Sequence, residues 1–234
     1  MRQVTHILKK EFRTYFVSPI AYIVISIFLL VTGWFFFLAF FLSNQASLRH
    51  LFTLLPLIFS FVVPAITMRL FSEELNVGSY EILLTMPVTF ADVVLGKFLA
   101  GVAFVAAMLI PTLAYPITVS FLGPLDWGPV IGGYIGAVLL GAAFSAIGLF
   151  ASSLTRNQII AFIVGVAICF SLTLIDWMLF FLPRSILGFV QYLGVSFHFQ
   201  NISKGILDSR DILYFLSVSF VSLYGTYVVI RERS

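Results

Sequence analysis

Long apolar runs separated by short polar stretches dominate the chain. A helix needs about 20 apolar residues to cross a bilayer core, and six segments reach that length: residues 20–42, 51–68, 93–121, 130–154, 158–181 and 212–230. The second contains Pro56 and Pro64, and the third contains Pro111 and Pro116. Packed membrane helices tolerate such prolines far better than isolated ones do. The fourth carries Gly132, Gly133, Gly136, Gly141 and Gly148, a small-residue pattern suited to close helix contact. Ahead of the first run, residues 1–18 have a different rhythm. Val4, Ile7, Leu8, Phe12, Tyr15 and Phe16 fall on one helical face, and Arg2, Lys9, Lys10 and Arg13 on the other. This predicts an amphipathic helix lying in the inner membrane interface with its bases toward lipid phosphates. Ser18-Pro19 then turns the chain into the first span.

Composition removes the alternatives to a membrane protein. Of 234 residues, 61% are hydrophobic and 10% charged, with 27 phenylalanines. The mean hydropathy is +1.09. A soluble domain of this size could not hide so much apolar surface, and a disordered chain would be far more polar. The fold class expected is therefore an all-α membrane protein, one transmembrane domain over residues 1–234. The stretch 20–42 is too long and too aromatic for a cleaved signal peptide. The net charge of +3 does not indicate a nucleic-acid partner; the basic residues read as topology signals. With the N-terminus inside, Arg2, Lys9, Lys10, Arg13, Arg69, Lys97, Arg156, Arg231 and Arg233 are cytoplasmic, leaving Arg49, Arg184, Lys204 and Arg210 outside. Both termini are expected to be cytoplasmic. The single cysteine, Cys169, lies within an apolar run and reads as a buried thiol.

No Asp, Glu, Lys or Arg lies near the middle of any span, and Asp176 sits toward the outer end of the fifth. Ion-coupled carriers, pumps and channels place ionisable groups at mid-depth or along a pore, so their absence argues against those classes. There is no His-Glu-x-x-His zinc motif and no phosphate-binding loop. The one Gly-Lys pair, Gly96-Lys97, is followed by Phe98 at the base of a membrane helix. The expectation is that the chain is not an enzyme and holds neither metal nor cofactor. Energy for any work would enter through a partner.

The segment 69–92, RLFSEELNVGSYEILLTMPVTFAD, holds Glu73, Glu74, Glu81 and Asp92. Gly78 breaks the preceding helix. Ser79 can cap a short helix over 80–85, with Glu81 at its positive end and Pro87 as its stop. Thr89-x-x-Asp92 reads as a capping box opening the third span. A second cytoplasmic turn, SSLTRNQ, contains Leu154, Thr155 and Arg156. The outer segment 183–211 is long for a connector, and its mixed pattern predicts short re-entrant or interfacial helices. Asp208-x-x-Asp211 can cap the sixth span. His198, Asp208 and Asp211 are the candidates for an extracytoplasmic contact, with a structural hydrogen bond the plainer role for His198.

The string Glu74-x-x-x-Gly78-Ser79-x-Glu81-x-Leu83-Leu84-Thr85-x-Pro87-Val88-Thr89 resembles the first cytoplasmic loop of ABC-2 type permeases. Gly148-Leu-Phe-Ala-Ser-Ser-Leu-Thr-Arg-Asn157 resembles their second intracellular turn. Residues 198–216 are most similar to the gliding-motility-type subunit, with the nitrous-oxide-reductase maturation permease a near relative. The resemblance spans the whole chain. It implies a cytoplasmic coupling helix, built by Glu74, Gly78, Ser79, Glu81, Leu83, Leu84 and Pro87, that docks on a separate ABC ATPase subunit. Leu154, Thr155 and Arg156 would form a smaller second contact. It further implies two ATPase copies carrying the ATP and Mg, a second permease chain that is identical or related, an extracytoplasmic accessory protein, and a bacterial inner membrane location. Two readings compete with this one. An ATP-independent membrane scaffold fits the lack of mid-membrane charge equally well. A membrane enzyme would have to draw on Asp176, Arg184, His198, Asp208 and Asp211.

Overall fold

The computed structural model describes residues 2–43, 45, 47–78, 89–178 and 183–233, and among these it holds helices and no strand. Helix α1 is Arg2–Val17 and α2, the first span, is Pro19–Ser43. The second span is α3, Arg49–Thr67, which passes through Met68 into α4, Arg69–Val77. Met68 is itself in the right-handed helical region, and its N–H donates to Pro64 O at 2.8 Å. The helical rod thus extends to Gly78, well past the apolar limit of the second run at Met68. Gly78 ends it with φ +76°, the left-handed conformation that glycine adopts most readily.

The third apolar run is two helices rather than one. Helix α5, Phe90–Leu109, is joined to α6, Ala114–Leu122, by a 3-10 turn over Ile110–Leu113. Pro111 lies in that turn, where a missing N–H and a ring clash disfavour a straight α-helix. Tyr134 braces the kink by donating to Thr112 O at 2.8 Å. The fourth, fifth and sixth spans are α7 (Trp127–Leu154), α8 (Gln158–Met178) and α11 (Ser209–Glu232). Between the last two lie α9, Arg184–Leu193, and α10, Val195–Ser203, two short helices in the segment whose mixed pattern suggested them. Among the described residues, six helical stretches are long and apolar enough to cross a membrane.

Helix α7 is the hub, in contact with α3, α5, α8, α10 and α11. Its glycines let neighbouring backbones approach. A methyl group at Gly132 would collide with the backbone oxygen of Ile202 and lie 3.1 Å from Gly205 Cα; one at Gly148 would collide with the Thr67 hydroxyl. Such contacts matter because lipid offers no hydrophobic drive to bring helices together. The peripheral spans present the reverse pattern. Leu30, Trp34 and Phe41 on α2, Ile159 and Ile163 on α8, and Phe220 and Tyr224 on α11 all face outward. Large apolar side chains facing outward on the peripheral spans mark a protein solvated by lipid. Some buried hydroxyls are satisfied within their own helices: Thr32 donates to Phe28 O at 2.7 Å, and Thr67 to Val63 O at 3.0 Å. The molecule is an all-α, multi-pass membrane protein.

Gly132→Ala is expected to destabilise the protein by about 1–3 kcal/mol, because backbone rather than a flexible side chain blocks the new methyl. Gly188→Ala, where nothing lies within 4 Å, serves as the control and should leave the midpoint unchanged or raised. Thermal unfolding of the two variants in detergent checks the difference.

Candidate functional site

The inner ends of the helices are joined by charge. Lys97 lies in the second turn of α5 and is only 1% exposed. Its ammonium donates to Glu74 Oε1 at 2.8 Å, Leu70 O at 2.7 Å and Glu11 Oε1 at 3.2 Å. It also stands 5.2 Å from the centre of the Phe71 ring, within cation–π range. An ammonium has three protons to donate, and here each has an acceptor. Glu11 belongs to α1, Glu74 to α4 and Lys97 to α5, so one buried cation ties three elements. Glu74 precedes the segment 79–88 and Lys97 follows it, which fastens the two legs of that loop to each other and to α1. Lys97 read in sequence as one more inner-side basic residue; in the structure it is a buried cross-link.

Helix α1 packs accordingly. Its apolar face meets α5: a methyl at Gly96 would lie 2.7 Å from Ile7, and Phe104 takes Tyr15 at 4.9 Å and Phe16 at 5.8 Å between ring centres. That face is largely spent on protein contact. Tyr15 donates to Ile66 O at 3.2 Å. Burial, reinforced by the nearby Glu11 carboxylate, pushes the Tyr15 phenol well above its ordinary pKa, so it remains a neutral donor. Lys9, Lys10 and Arg13 face outward.

The turn at 152–158 joins the same platform. Ser152 Oγ donates to Met68 O at 2.7 Å and accepts from the N–H groups of Phe71 and Ser72, both at 3.0 Å. One hydroxyl from α7 thus satisfies backbone groups left open where α4 begins. Leu154 O accepts from Arg233 Nη2 at 2.7 Å, bringing in the C-terminal end of α11. Thr155 Oγ1 accepts from Asn157 N at 3.1 Å, and Asn157 Oδ1 accepts from Ile159 N at 2.9 Å, capping α8. Arg156 is exposed and, with Asn76 near the end of α4, lines a groove of about 420 Å³. The turn at 152–158 therefore meets α4, part of the other segment singled out in the sequence. At the far leg of the loop, Thr89 and Asp92 form the full capping box that opens α5. Ser79, Glu81, Leu83, Leu84 and Pro87, with the short helix expected over 80–85, lie outside the described residues. Of the loop residues proposed from the resemblance, Glu74 and Gly78 are described.

At the outer end, His198 on α10 is fully buried. Its Nδ1 lies 2.6 Å from Asp211 Oδ1, and its Nε2 lies 2.9 Å from Tyr192 O. A carbonyl can only accept, so Nε2 carries a proton and donates. The ring stacks on Tyr214 at 4.1 Å, and Tyr214 donates to Leu193 O at 2.7 Å. Asp208 caps α11 by accepting from Arg210 N at 3.0 Å. Asp211 does not share that work, a correction to the reading of both aspartates as caps: one turn into the helix it faces inward, 3% exposed, and pairs with His198. His198 and Asp211 thus pin α10 to α11, and Asp208 stays exposed beside them. Asp176, at the outer end of α8, lies against Gly194, where a methyl would come 2.6 Å from its Oδ1. Among the described residues no group of three or more His, Cys, Asp or Glu side chains is placed to hold a metal.

Lys97→Met should destabilise the protein by about 3–5 kcal/mol, since two partly buried carboxylates then face each other without a cation. Adding Glu11→Gln and Glu74→Gln should recover much of the loss; thermal unfolding of the single and triple variants checks both. At the outer end, His198→Ala should cost about 3 kcal/mol by leaving the Asp211 carboxylate buried and unpaired. Asp208→Ala removes an exposed cap and should cost about 1 kcal/mol. The order of the two midpoints is the readout.

The family model for the ABC-2 family transporter protein matches residues 5–217. That range takes in all but the first few residues of α1, the inner platform, the outer helices and the first part of α11. A search of curated proteins finds none that matches. Proteins of this family are the membrane subunits of ABC transporters and work with an ABC ATPase. On the strength of a match across nearly its whole length, the chain belongs to the ABC-2 family of transporter proteins.

Proposed function

We propose that this chain is a permease that takes up force at the loop between its second and third spans and uses it to move a substrate or transmit tension across the membrane. The observation that carries the reading is the Lys97 cluster. Glu74 and Lys97 bracket the loop and are hydrogen-bonded to one another, so a push on the loop reaches α3, α5 and α1 together. Glu81 would meet a basic residue of the ATPase, Leu83 and Leu84 would fill an apolar cleft in it, and Leu154, Thr155 and Arg156 would add the lesser contact. Two ATPase copies bind the ATP and Mg, and closure of the pair rocks two permease chains, identical or related, against each other. The cell is bacterial, the membrane is the inner one, and both termini are cytoplasmic. The likeness of residues 198–216 favours a gliding-motility-type system, in which an extracytoplasmic partner would meet the outer helices near His198 and Asp208.

The test is co-purification. The parent chain should retain a soluble ABC ATPase. Glu81→Arg should reduce the retained ATPase roughly tenfold, the loss of one favourable charge contact and its replacement by a repulsive one, while leaving the thermal midpoint unchanged. Equal retention by parent and variant would remove Glu81 from the docking surface. Function that persists with a hydrolysis-dead ATPase would favour a passive scaffold instead.

A further inference from the structure

The outward face of α1 carries a groove of about 470 Å³ lined by Lys9, Lys10, Arg13, Thr14 and Val17. Among the described residues no carboxylate pairs with Lys9 or Arg13. Lys10 reaches only Glu11, at 3.9 Å, and that carboxylate is held by Lys97 at 3.2 Å. Cations of one sign thus line a single depression with no free anion of the protein beside them. Like charges so placed repel one another, and an anion from outside relieves the repulsion. The helix that carries them is fixed. Lys97 donates to Glu11, Tyr15 donates to Ile66 O, and the Phe16 ring meets Tyr22 of α2 edge-on with centres 6.2 Å apart. The apolar face of α1 is largely spent on α5, so the bases are positioned by the protein rather than by sinking the helix into lipid. They form a built site, not a sliding contact.

We infer that this groove binds an anionic phospholipid, its phosphate held among Lys9, Lys10 and Arg13 and its acyl chains laid along α2. The depth is that of a headgroup. Val17 is 76% exposed at the end of the groove, and the first span begins two residues later at Pro19. Past the turn, Ile20, Ile23, Ile27 and Leu30 recur at helical spacing and are all exposed, an apolar track for a hydrocarbon chain. Tyr22 is exposed at the same level, where aromatic rings favour the membrane interface. Only a molecule with a phosphate and a hydrocarbon chain on one body covers both surfaces. A soluble acidic protein would meet the bases and leave the row on α2 uncovered. Charge selects among lipids. The ammonium of a zwitterionic headgroup would enter a ring of cations, whereas phosphatidylglycerol brings a negative charge and two hydroxyls. The inference needs the multi-pass membrane fold alone, and neither the permease reading nor an ATPase.

The experiment offers the full chain mixed micelles of equimolar phosphatidylglycerol, phosphatidylcholine and phosphatidylethanolamine, captures it, and counts the retained lipid by mass spectrometry. Phosphatidylglycerol should be retained roughly tenfold over either zwitterionic lipid, less than independent contacts would give because exposed charges are screened. Lys9→Gln, Lys10→Gln and Arg13→Gln should each lower that ratio roughly two- to fivefold. The triple variant should bring the lipids to equality with an unchanged thermal midpoint, since all three side chains are exposed. Raising the salt from about 0.05 M to about 0.5 M should weaken the preference of the parent chain. Lys204→Gln removes an exposed charge far from α1 and should leave the ratio as it was; an equal drop there would overturn the groove in favour of net charge. Equal retention of the three lipids by the parent would overturn the inference. Soluble glycerophosphoglycerol displacing the lipid at equal concentration would overturn the lipid as the source. A triple variant that keeps its phosphatidylglycerol but loses a co-purifying ATPase would assign the groove to that protein instead, while loss of the lipid preference with ATPase association intact would leave the permease reading standing beside this one.

Discussion

A cation buried in a protein interior must keep its partners, and that constraint organises the inner half of this molecule. Desolvating the Lys97 ammonium costs several kcal/mol before any partner is counted. The cost is offset only while Glu11, Glu74 and Leu70 O stay within reach. Three elements remote in sequence are thereby held to one position, and displacing any of them exposes a charge that has nowhere else to go. The geometry of α1, α4 and α5 at this end of the bundle follows from that single requirement, and Ser152 extends it to α7.

The membrane interior is assembled on a different principle. Its helices are uncharged at mid-depth, and hydroxyls such as those of Thr32 and Thr67 bond within their own turns, so few polar contacts, Tyr134 to Thr112 O among them, link one span to the next there. Contact depends on shape. Glycines along α7 admit the backbone of α10, the Phe52 ring and the Thr67 side chain at distances that no larger residue permits. The kink at Pro111 is braced by Tyr134 from the same helix. Close packing makes the bundle stiff, and the polar groups that join one element to another lie chiefly toward its two ends.

How much of this the sequence discloses depends on the range of the interaction. Features written in adjacent residues are legible: the apolar runs, the Thr89–Asp92 capping box, the stop at Gly78, and the glycine spacing of α7. The Lys97 cluster is not, because its partners lie 23 and 86 positions away and no local spacing announces them. Asp211 misled for the opposite reason. Its distance from Asp208 matches a capping pattern, yet a residue one turn into a helix is equally free to face inward, and the partner that decides it, His198, lies on another helix. The apolar face of α1 was similarly ambiguous, since lipid and a neighbouring helix ask for the same side chains. Gly96 was the available hint: a small residue at the base of a span is where another backbone can cross.

The two ends of the bundle are held differently, and the difference bears on how force would travel. On the inner side, a three-way charge cluster, the Ser152 bridge and the Arg233 contact to Leu154 O join α1, α4, α5, α7 and α11. On the outer side, the buried His198–Asp211 pair carries much of the polar connection between α10 and α11. A platform fastened at many points moves as one body, because each contact raises the cost of moving any member alone. A joint fastened by fewer polar contacts, here the His198–Asp211 pair and the Tyr214 bond to Leu193 O, divides more readily. Under the proposed permease reading, work delivered at the 79–88 loop would therefore leave the Lys97 end whole and be expressed among the short helices at the opposite end.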